Sequence, residues 1–227
     1  MIAAIVPAHD EAEHIGACLH ALQTAAGSLR LGGETVLVVV VADDCRDTTA
    51  AIACKAGATV LQVQARNVGT ARAAGARFAL DAGARWLAFT DADSVVGPQW
   101  FADQLALNSD AVCGTVAVRH WGGYGARMQQ HYERTYTDAD GHQHIHGANL
   151  GVSADAYRRA GGFQALATSE DVALVDALRQ VGASIAWSAK PRVETSARRL
   201  FRAPRGFGAT LLRIHEEFQR AGTASPA

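Results

Sequence analysis

The chain reads as an α/β protein built on a parallel, doubly wound sheet, and three observations lead there. Apolar strand-like runs alternate with segments of helical period as far as residue 90. The longest run, Val36 to Val41, is almost all valine, as suits a central parallel strand covered on both faces. A further run, Trp86 to Thr90, leads straight into two carboxylates, Asp91 and Asp93. In an open α/β sheet the carboxyl ends of the strands are where ligands bind.

Taken in order, Ile2 to Val6 is an apolar strand ended by Pro7. From Glu11 onward Ile15, Cys18, Leu19 and Leu22 recur at helical spacing. Val36 to Val41 is the second strand, Thr48 to Lys55 a helix, Thr59 to Val63 a strand, Ala71 to Leu80 a helix and Trp86 to Thr90 a strand. This βαβαβαβ order calls for right-handed crossovers. After Asp93 the regularity weakens. Pro98 opens a helix through Leu107, Ala111 to Val118 is a strand, and a bend at Gly122 and Gly123 leads into an amphipathic segment through Tyr136. No repeat or low-complexity linker interrupts the chain, so residues 1–227 are expected to form a single domain with halves at 1–95 and 96–227.

Composition excludes several classes. A length of 227 residues suits one large α/β domain. The net charge is −1 and the basic residues are dispersed until the C-terminal third, so no nucleic-acid footprint is present. The four cysteines, Cys18, Cys45, Cys54 and Cys113, form no CxxC pair and read as reduced thiols. No apolar stretch reaches the roughly 18 residues of a membrane span, and no basic region precedes the first apolar run. A cytoplasmic protein without a transmembrane segment is expected. The patch Arg198, Arg199, Leu200, Phe201, Arg202 and Arg205 leaves peripheral membrane association open.

The spacing Asp91-Ala92-Asp93 offers two hard oxygen donors at a strand end. Mg²⁺ or Mn²⁺ binds such donors and keeps positions open for substrate phosphates. The pair therefore reads as a metal-bridged diphosphate site, with an Asp-rich turn as the alternative. Asp138-Ala139-Asp140-Gly141 repeats the spacing after a polar stretch and reads as a turn. His142, His144 and His146 alternate at period two. A three-histidine metal site is the sharper reading, and a polar, partly exposed strand or loop the plainer one.

Six segments then carry a family resemblance: Val6 to Glu11, Val41 to Thr49, Asn67 to Arg72, Asp91 to Asp93, Gly147 to Asn149, and Ser169 to Asp171. In this order they resemble the motifs of family 2 glycosyltransferases. The resemblance implies a GT-A type fold: a Rossmann-like, mostly parallel sheet with an α+β acceptor-side extension, residues 1–95 serving the nucleotide and 96–227 the acceptor.

By that resemblance Pro7 and Ala8 border the base and Glu11 holds the ribose hydroxyls, with Asp10 standing where the family usually has Asn. Asp43 accepts from the base edge, and Asp44 is a turn residue. Gly69 and Arg72 belong to the nucleotide-sugar segment. Thr70 replaces the usual Lys, which leaves Arg66 or Arg72 as a phosphate-side donor. Asp91 and Ala92 contact the nucleotide-sugar, and Asp93, with Asp91 directly or through water, holds the metal. Gly147, Asn149 and Glu170 border the acceptor. Asp171 is the catalytic base, taking the acceptor hydroxyl's proton as that oxygen attacks the anomeric carbon. Each acidic residue also has a capping alternative, since Asp10, Glu11, Asp47 and Ser169 to Asp171 are good helix-start chemistry. Gly161-Gly162-Phe163 matches a family segment. Trp100, Trp121 and Trp187 are candidate sugar platforms or core aromatics, and Thr195 to Gly208 is a candidate basic lid.

The implied function is an inverting, metal-dependent transfer from a nucleotide-sugar, UDP ahead of GDP, to a small or lipid-linked acceptor. Two rivals stand beside it. A sugar-phosphate nucleotidyltransferase would need a glycine-rich N-terminal loop, and residues 1–16 have none. A non-catalytic nucleotide-sugar-binding protein would not need Asp171. A retaining mechanism is a narrower variant.

Overall fold

The computed structural model describes residues 1–118, 121, 124–196 and 212. Its elements run β1 (Ile2–Ala8), α1 (Ile15–Ala26), β2 (Val36–Asp43), α2 (Thr49–Lys55), β3 (Thr59–Val63), α3 (Val68–Asp81), β4 (Trp86–Phe89), β5 (Val95–Val96), α4 (Trp100–Leu105), β6 (Ala111–Val118), α5 (Gly125–Thr135), β7 (Leu150–Ser153), α6 (Ala154–Arg159), α7 (Glu170–Gln180) and β8 (Ile185–Thr195). The expected bend at Gly122 and Gly123 lies outside the described residues, as does Ala197 to Gly208 with its basic patch.

One sheet joins all the strands in the order β3-β2-β1-β4-β7-β6-β8-β5. The strands β1, β2, β3 and β4 are parallel, and β6 and β8 continue that direction. Among the described strands β7 and β5 alone run against their neighbours. The mostly parallel sheet with an α+β extension is the architecture the sequence predicts.

Alternation along β1 divides the core. Ile2, Ala4 and Val6 pack with Ile15, Leu19 and Leu22 of α1 and with Trp100 and Phe101 of α4. Ala3 and Ile5 face the other layer, with Ala76 and Ala79 of α3 and Leu174, Val175 and Leu178 of α7. Helix α3 lies very close to the sheet: a Cβ on Gly75 would stand 2.6 Å from Ile5 Cγ2 and 2.9 Å from Val41 Cγ2. Its run of Ala and Gly is what permits that approach.

Several boundaries differ from expectation for physical reasons. Pro7 does not end β1, because it pairs in register with Val41. On the opposite side β4 has stopped at Phe89, opposite Ile5, so no ladder donor is needed from Pro7. Helix α3 begins before Ala71 because Asn67 caps it, Oδ1 accepting from Thr70 N at 2.8 Å. Strand β7 pairs with β6 only over Ala111 to Cys113. Beyond it side chains take over: Asn149 Nδ2 donates to Thr115 O, Tyr136 Oη accepts from Val116 N, and Tyr132 Oη donates to Val116 O.

Candidate functional site

The topology brings distant motifs to one edge. Strands β1 and β2 end together at Ala8 and Asp43, and β4 stops earlier, at Phe89 opposite Ile5, with Asp91 and Asp93 just beyond it. Antiparallel β7 starts at Leu150 opposite Phe89, which returns Gly147 to Asn149 to the same edge. Helix α7 begins at Glu170 and packs beside α3.

Arg72 is the hub. Its side chain is 4% exposed and its guanidinium forks, Nη1 to Glu170 Oε1 and Nη2 to Asp91 Oδ1, the latter at 2.6 Å. Burial works against the charge, but Asp91, Glu170 and Asp171 outweigh it and leave its pKa raised. Burial also pushes the Glu170 carboxyl up, against the pull of Arg72. Arg72 and Glu170, expected beside the nucleotide-sugar and the acceptor, thus meet each other at this edge, with Asp91 as the second partner of the guanidinium. Arg66, the other cation considered, is exposed and paired with Asp44.

Asp171 is oriented by two backbone donors. Gly147 N donates to Oδ2 and Val172 N to Oδ1, each at 2.8 Å. Each oxygen retains acceptor capacity, so a carboxylate set this way can still receive a proton from a hydroxyl. Gly147 therefore serves Asp171 through its backbone.

At the end of β2 Asp43 is buried and gathers the loop before α3: Oδ1 accepts from Ala65 N and Arg66 N, and Oδ2 from Asn67 N. Three charge-assisted bonds fix that loop and leave the carboxylate room for one more donor. Glu11 is buried, its N–H donating to Thr49 Oγ1. Asp10 has φ 51° and accepts from Arg46 N and Asp47 N, which holds its carboxyl below the usual range, Arg46 N–H contributing most. An acceptor is all this position uses, so Asp serves where Asn is usual. Asp44, at φ 50°, has the left-handed backbone that Asn or Gly also favours. Gly69 is required by packing, since a Cβ there would lie 2.2 Å from Gln164 O.

Two groups of acidic side chains are candidate cation sites among the described residues. Asp10, Cys45 and Asp47 offer atoms within 4.8 Å of one another. Burial pushes the Cys45 thiol up and it donates to Ala8 O. Asp47 accepts from Ala12 N and Thr49 N. This group is a loop clasp, and a protonated thiol is a poor partner for a hard ion. Asp91 and Asp93 fit better. Both are partly exposed, both offer only oxygen, and Asp91 keeps a second oxygen beyond the one on Arg72. Substrate phosphates would complete the donor set of a cation held there. Beneath them Cys18 donates to Asp91 O, and burial with the two carboxylates holds its thiol protonated. An open groove of about 420 Å³ lined by Thr70, Arg77, Tyr157, Arg158 and Phe163 contains none of these carboxylates.

Comparison with known proteins decides the family. The family model described as Glycosyl transferase family 2 matches residues 3–161, well over half of the chain. The chain belongs to glycosyl transferase family 2. No curated protein matches it by sequence. Among solved structures, S. aureus TarS 1–349 in complex with UDP-GlcNAc superposes with TM-score 0.68 at 16% identity, over 94% of this chain and 65% of that one. Mannosyltransferase PcManGT from Pyrobaculum calidifontis in complex with GDP-Man and Mn²⁺ gives 0.63 at 17%, over 100% and 65%. A mycobacterial protein gives 0.59 at 17%, over 95% and 74%. The chain thus spans just under two thirds of the first of these, and the likeness establishes the GT-A-like fold. No described helix is long and apolar enough to cross a membrane.

Within this family 2 chain, other predicted residues are structural. Asn149 is fully buried: Nδ2 donates to Thr115 O and Pro191 O, and Oδ1 accepts from Trp100 Nε1. It ties the turn at residues 147–149 to Trp100, which is fully buried in the core. Trp121 packs edge-on to Tyr132, and Trp187 lies between His142 and Arg179. Asp138 and Asp140 form the expected turn, accepting from Thr115 Oγ1 and Ser188 Oγ.

The three histidines form neither a strand nor a metal cluster among the described residues. Their rings stack successively at 5.3 and 5.9 Å, with Tyr136 against His144 at 4.1 Å, and His142 is buried. Tyr136 Oη, which accepts from Val116 N, is hydrogen-bonded to His146 Nε2 at 3.0 Å. Burial, aided by His144 and His142, brings the His146 pKa down to about 3. A depressed histidine favours the fold fully above its unfolded pKa, near 6.5, and loses that contribution as pH falls toward 3, because only the unfolded chain takes up the proton. Over that window one such group removes at most about 1.4 kcal/mol per pH unit. Melting curves between pH 4 and 7 are expected to show a steeper acid loss for the wild type than for His146→Gln.

Proposed function

We propose that this chain is a metal-dependent glycosyltransferase that moves a sugar from a nucleotide-sugar, UDP ahead of GDP, to an acceptor hydroxyl with inversion. The observation that carries this reading is the fork of Arg72, which draws Asp91 and Glu170 together and so sets the donor motif beside Asp171. The ligands named for TarS, UDP-GlcNAc and UDP, and for PcManGT, GDP-Man and Mn²⁺, support a nucleotide-sugar and a divalent cation here. Residues 1–95 serve the donor and 96–227 the acceptor.

In this scheme the backbone of Pro7 and Ala8 borders the base, the spare acceptor capacity of Asp43 takes a base N–H, and Glu11 takes the ribose hydroxyls. Asp93, with Asp91, would hold Mg²⁺ or Mn²⁺, which supplies charge neutralisation to a departing diphosphate. Asp171 removes the acceptor proton as the C–O bond to the acceptor forms and the bond to the diphosphate breaks. No protein acid is needed for that leaving group. A cytoplasmic site of action and a small or lipid-linked acceptor complete the reading. A nucleotidyltransferase finds no support in the loop after β1, which is fixed by Asp10, Cys45 and Thr49 contacts and has no glycine.

Thermal shift with a panel of nucleotide-sugars tests it. A ligand at 100 times its Kd stabilises by about 2.7 kcal/mol, so a UDP-sugar with Mn²⁺ is expected to raise Tm well above Mn²⁺ or sugar phosphate alone. Shifts from nucleoside triphosphates with sugar phosphates, and none from nucleotide-sugars, would favour the nucleotidyltransferase. Shifts without turnover on any acceptor or water would favour a binding protein.

A further inference from the structure

We propose that Arg72 is a positioning residue that sets the spacing between the donor carboxylate Asp91 and the start of α7, where Glu170 is its partner and Asp171 is the base, and that Gly147 lacks a side chain so that the guanidinium can lie against it. This deepens the glycosyltransferase reading and rests on it.

The guanidinium is enclosed on every side. Its two terminal nitrogens each donate to a carboxylate, Nη1 to Glu170 and Nη2 to Asp91, and Nε is buried. The Phe163 ring lies 5.6 Å from Cζ. A Cβ on Gly147 would stand 2.5 Å from Nη2 and 2.6 Å from both Cζ and Nη1, near-equal distances that mean the flat face is stacked on the Gly147 backbone. The same Gly147 donates its N–H to Asp171. One planar group therefore touches the donor motif, the acceptor-side loop and the start of α7, and reaches the base through the glycine. Asp91 and Glu170 lie 19 and 98 residues from Arg72 in sequence, and three carboxylates near one cation would otherwise repel. Lysine carries the charge as a single point and cannot fork. Phosphate binding, by contrast, would need a guanidinium open to the cleft.

The test uses the full chain, Mn²⁺, UDP and the UDP-sugar that turns over fastest in a donor-hydrolysis screen, with variants Arg72→Lys, Gly147→Ala and the pair combined. Calorimetry with UDP in chelator is expected to give Kd within about threefold of wild type, while kcat with Mn²⁺ falls about 10²-fold or more, the order that a misplacement of about 1 Å produces. Because both changes disturb one contact, the combined variant should lose no more than the larger single loss. Three results would overturn the proposal: a wild-type kcat in Arg72→Lys, a UDP Kd that weakens in step with activity, or losses that multiply in the double variant. Amide exchange at residues 147–149 and 170–172 provides a readout that does not need turnover. If Arg72→Lys folds poorly, Gly147→Ala carries the same exchange measurement. Faster exchange in both segments is expected, and unchanged protection contradicts the positioning role. A wild-type protein without nucleotide-sugar turnover would sink the glycosyltransferase reading instead, leaving the exchange result to judge Arg72.

Discussion

Asp171→Asn is expected to lower the rate of sugar transfer by about 10² to 10⁴-fold, the range that a positioned base contributes, with UDP and Mn²⁺ affinity close to wild type. The geometry separates the two quantities. Asp171 lies at the start of α7, receives N–H bonds from Gly147 and Val172, and makes no contact with the Asp43 loop or with Asp93 among the hydrogen bonds and ion pairs described. Asparagine keeps the size but must turn its amide NH₂ toward one of those donors, so a stability loss of about 1–3 kcal/mol accompanies the change. Steady-state kinetics on the folded fraction, with melting curves alongside, distinguish base from cap. A helix cap alone predicts the stability loss with an unchanged kcat, and that result would remove Asp171 from the chemistry.

Asp93→Ala is expected to have a comparably large effect on the other half of the reaction. UDP affinity measured in Mn²⁺ should fall about 10- to 100-fold, about 1.4 to 2.8 kcal/mol of binding, and should then match the affinity in chelator. Asp47→Ala is the informative comparison, because Asp47 belongs to the other acidic group, with Asp10 and Cys45. Its carboxylate secures Ala12 N and Thr49 N, so its loss should cost stability and leave the ratio of affinities with and without Mn²⁺ unchanged. Calorimetry across the two variants decides which group engages the cation.

The donor half of the fold was legible because its signals are local. Valine runs, helical spacing and strand-end carboxylates all lie within a few residues, and Thr59–Val63 is bounded as expected. The acceptor half was not. Strand β7 is four residues long and contains Gly151, β8 carries Lys190 and Pro191, and α6 is six residues, so none offers a sustained period. Strand β7 matters most, since its reversed direction is what returns Gly147 to the edge beside Asp91. At the site, motif order marked Asp43, Asp91, Gly147 and Asp171, but which group each side chain meets is a property of long-range packing. The Arg72 fork and the burial of Asn149 beneath the loop are invisible to spacing. The alanine-rich helix around Arg72 was a usable signal, because a charge on a helix of small residues that must lie close to a sheet has little room to reach solvent.

In the proposed scheme the cation and the donor diphosphate meet at Asp93, beside the base. Anomalous diffraction from crystals grown with UDP and Mn²⁺ measures this directly. A manganese peak about 2 Å from an Asp93 oxygen, the distance typical of small octahedral divalent ions, with the diphosphate on its far side, is the predicted result. A peak among Asp10, Cys45 and Asp47, or UDP bound with no metal near Asp93, would contradict it.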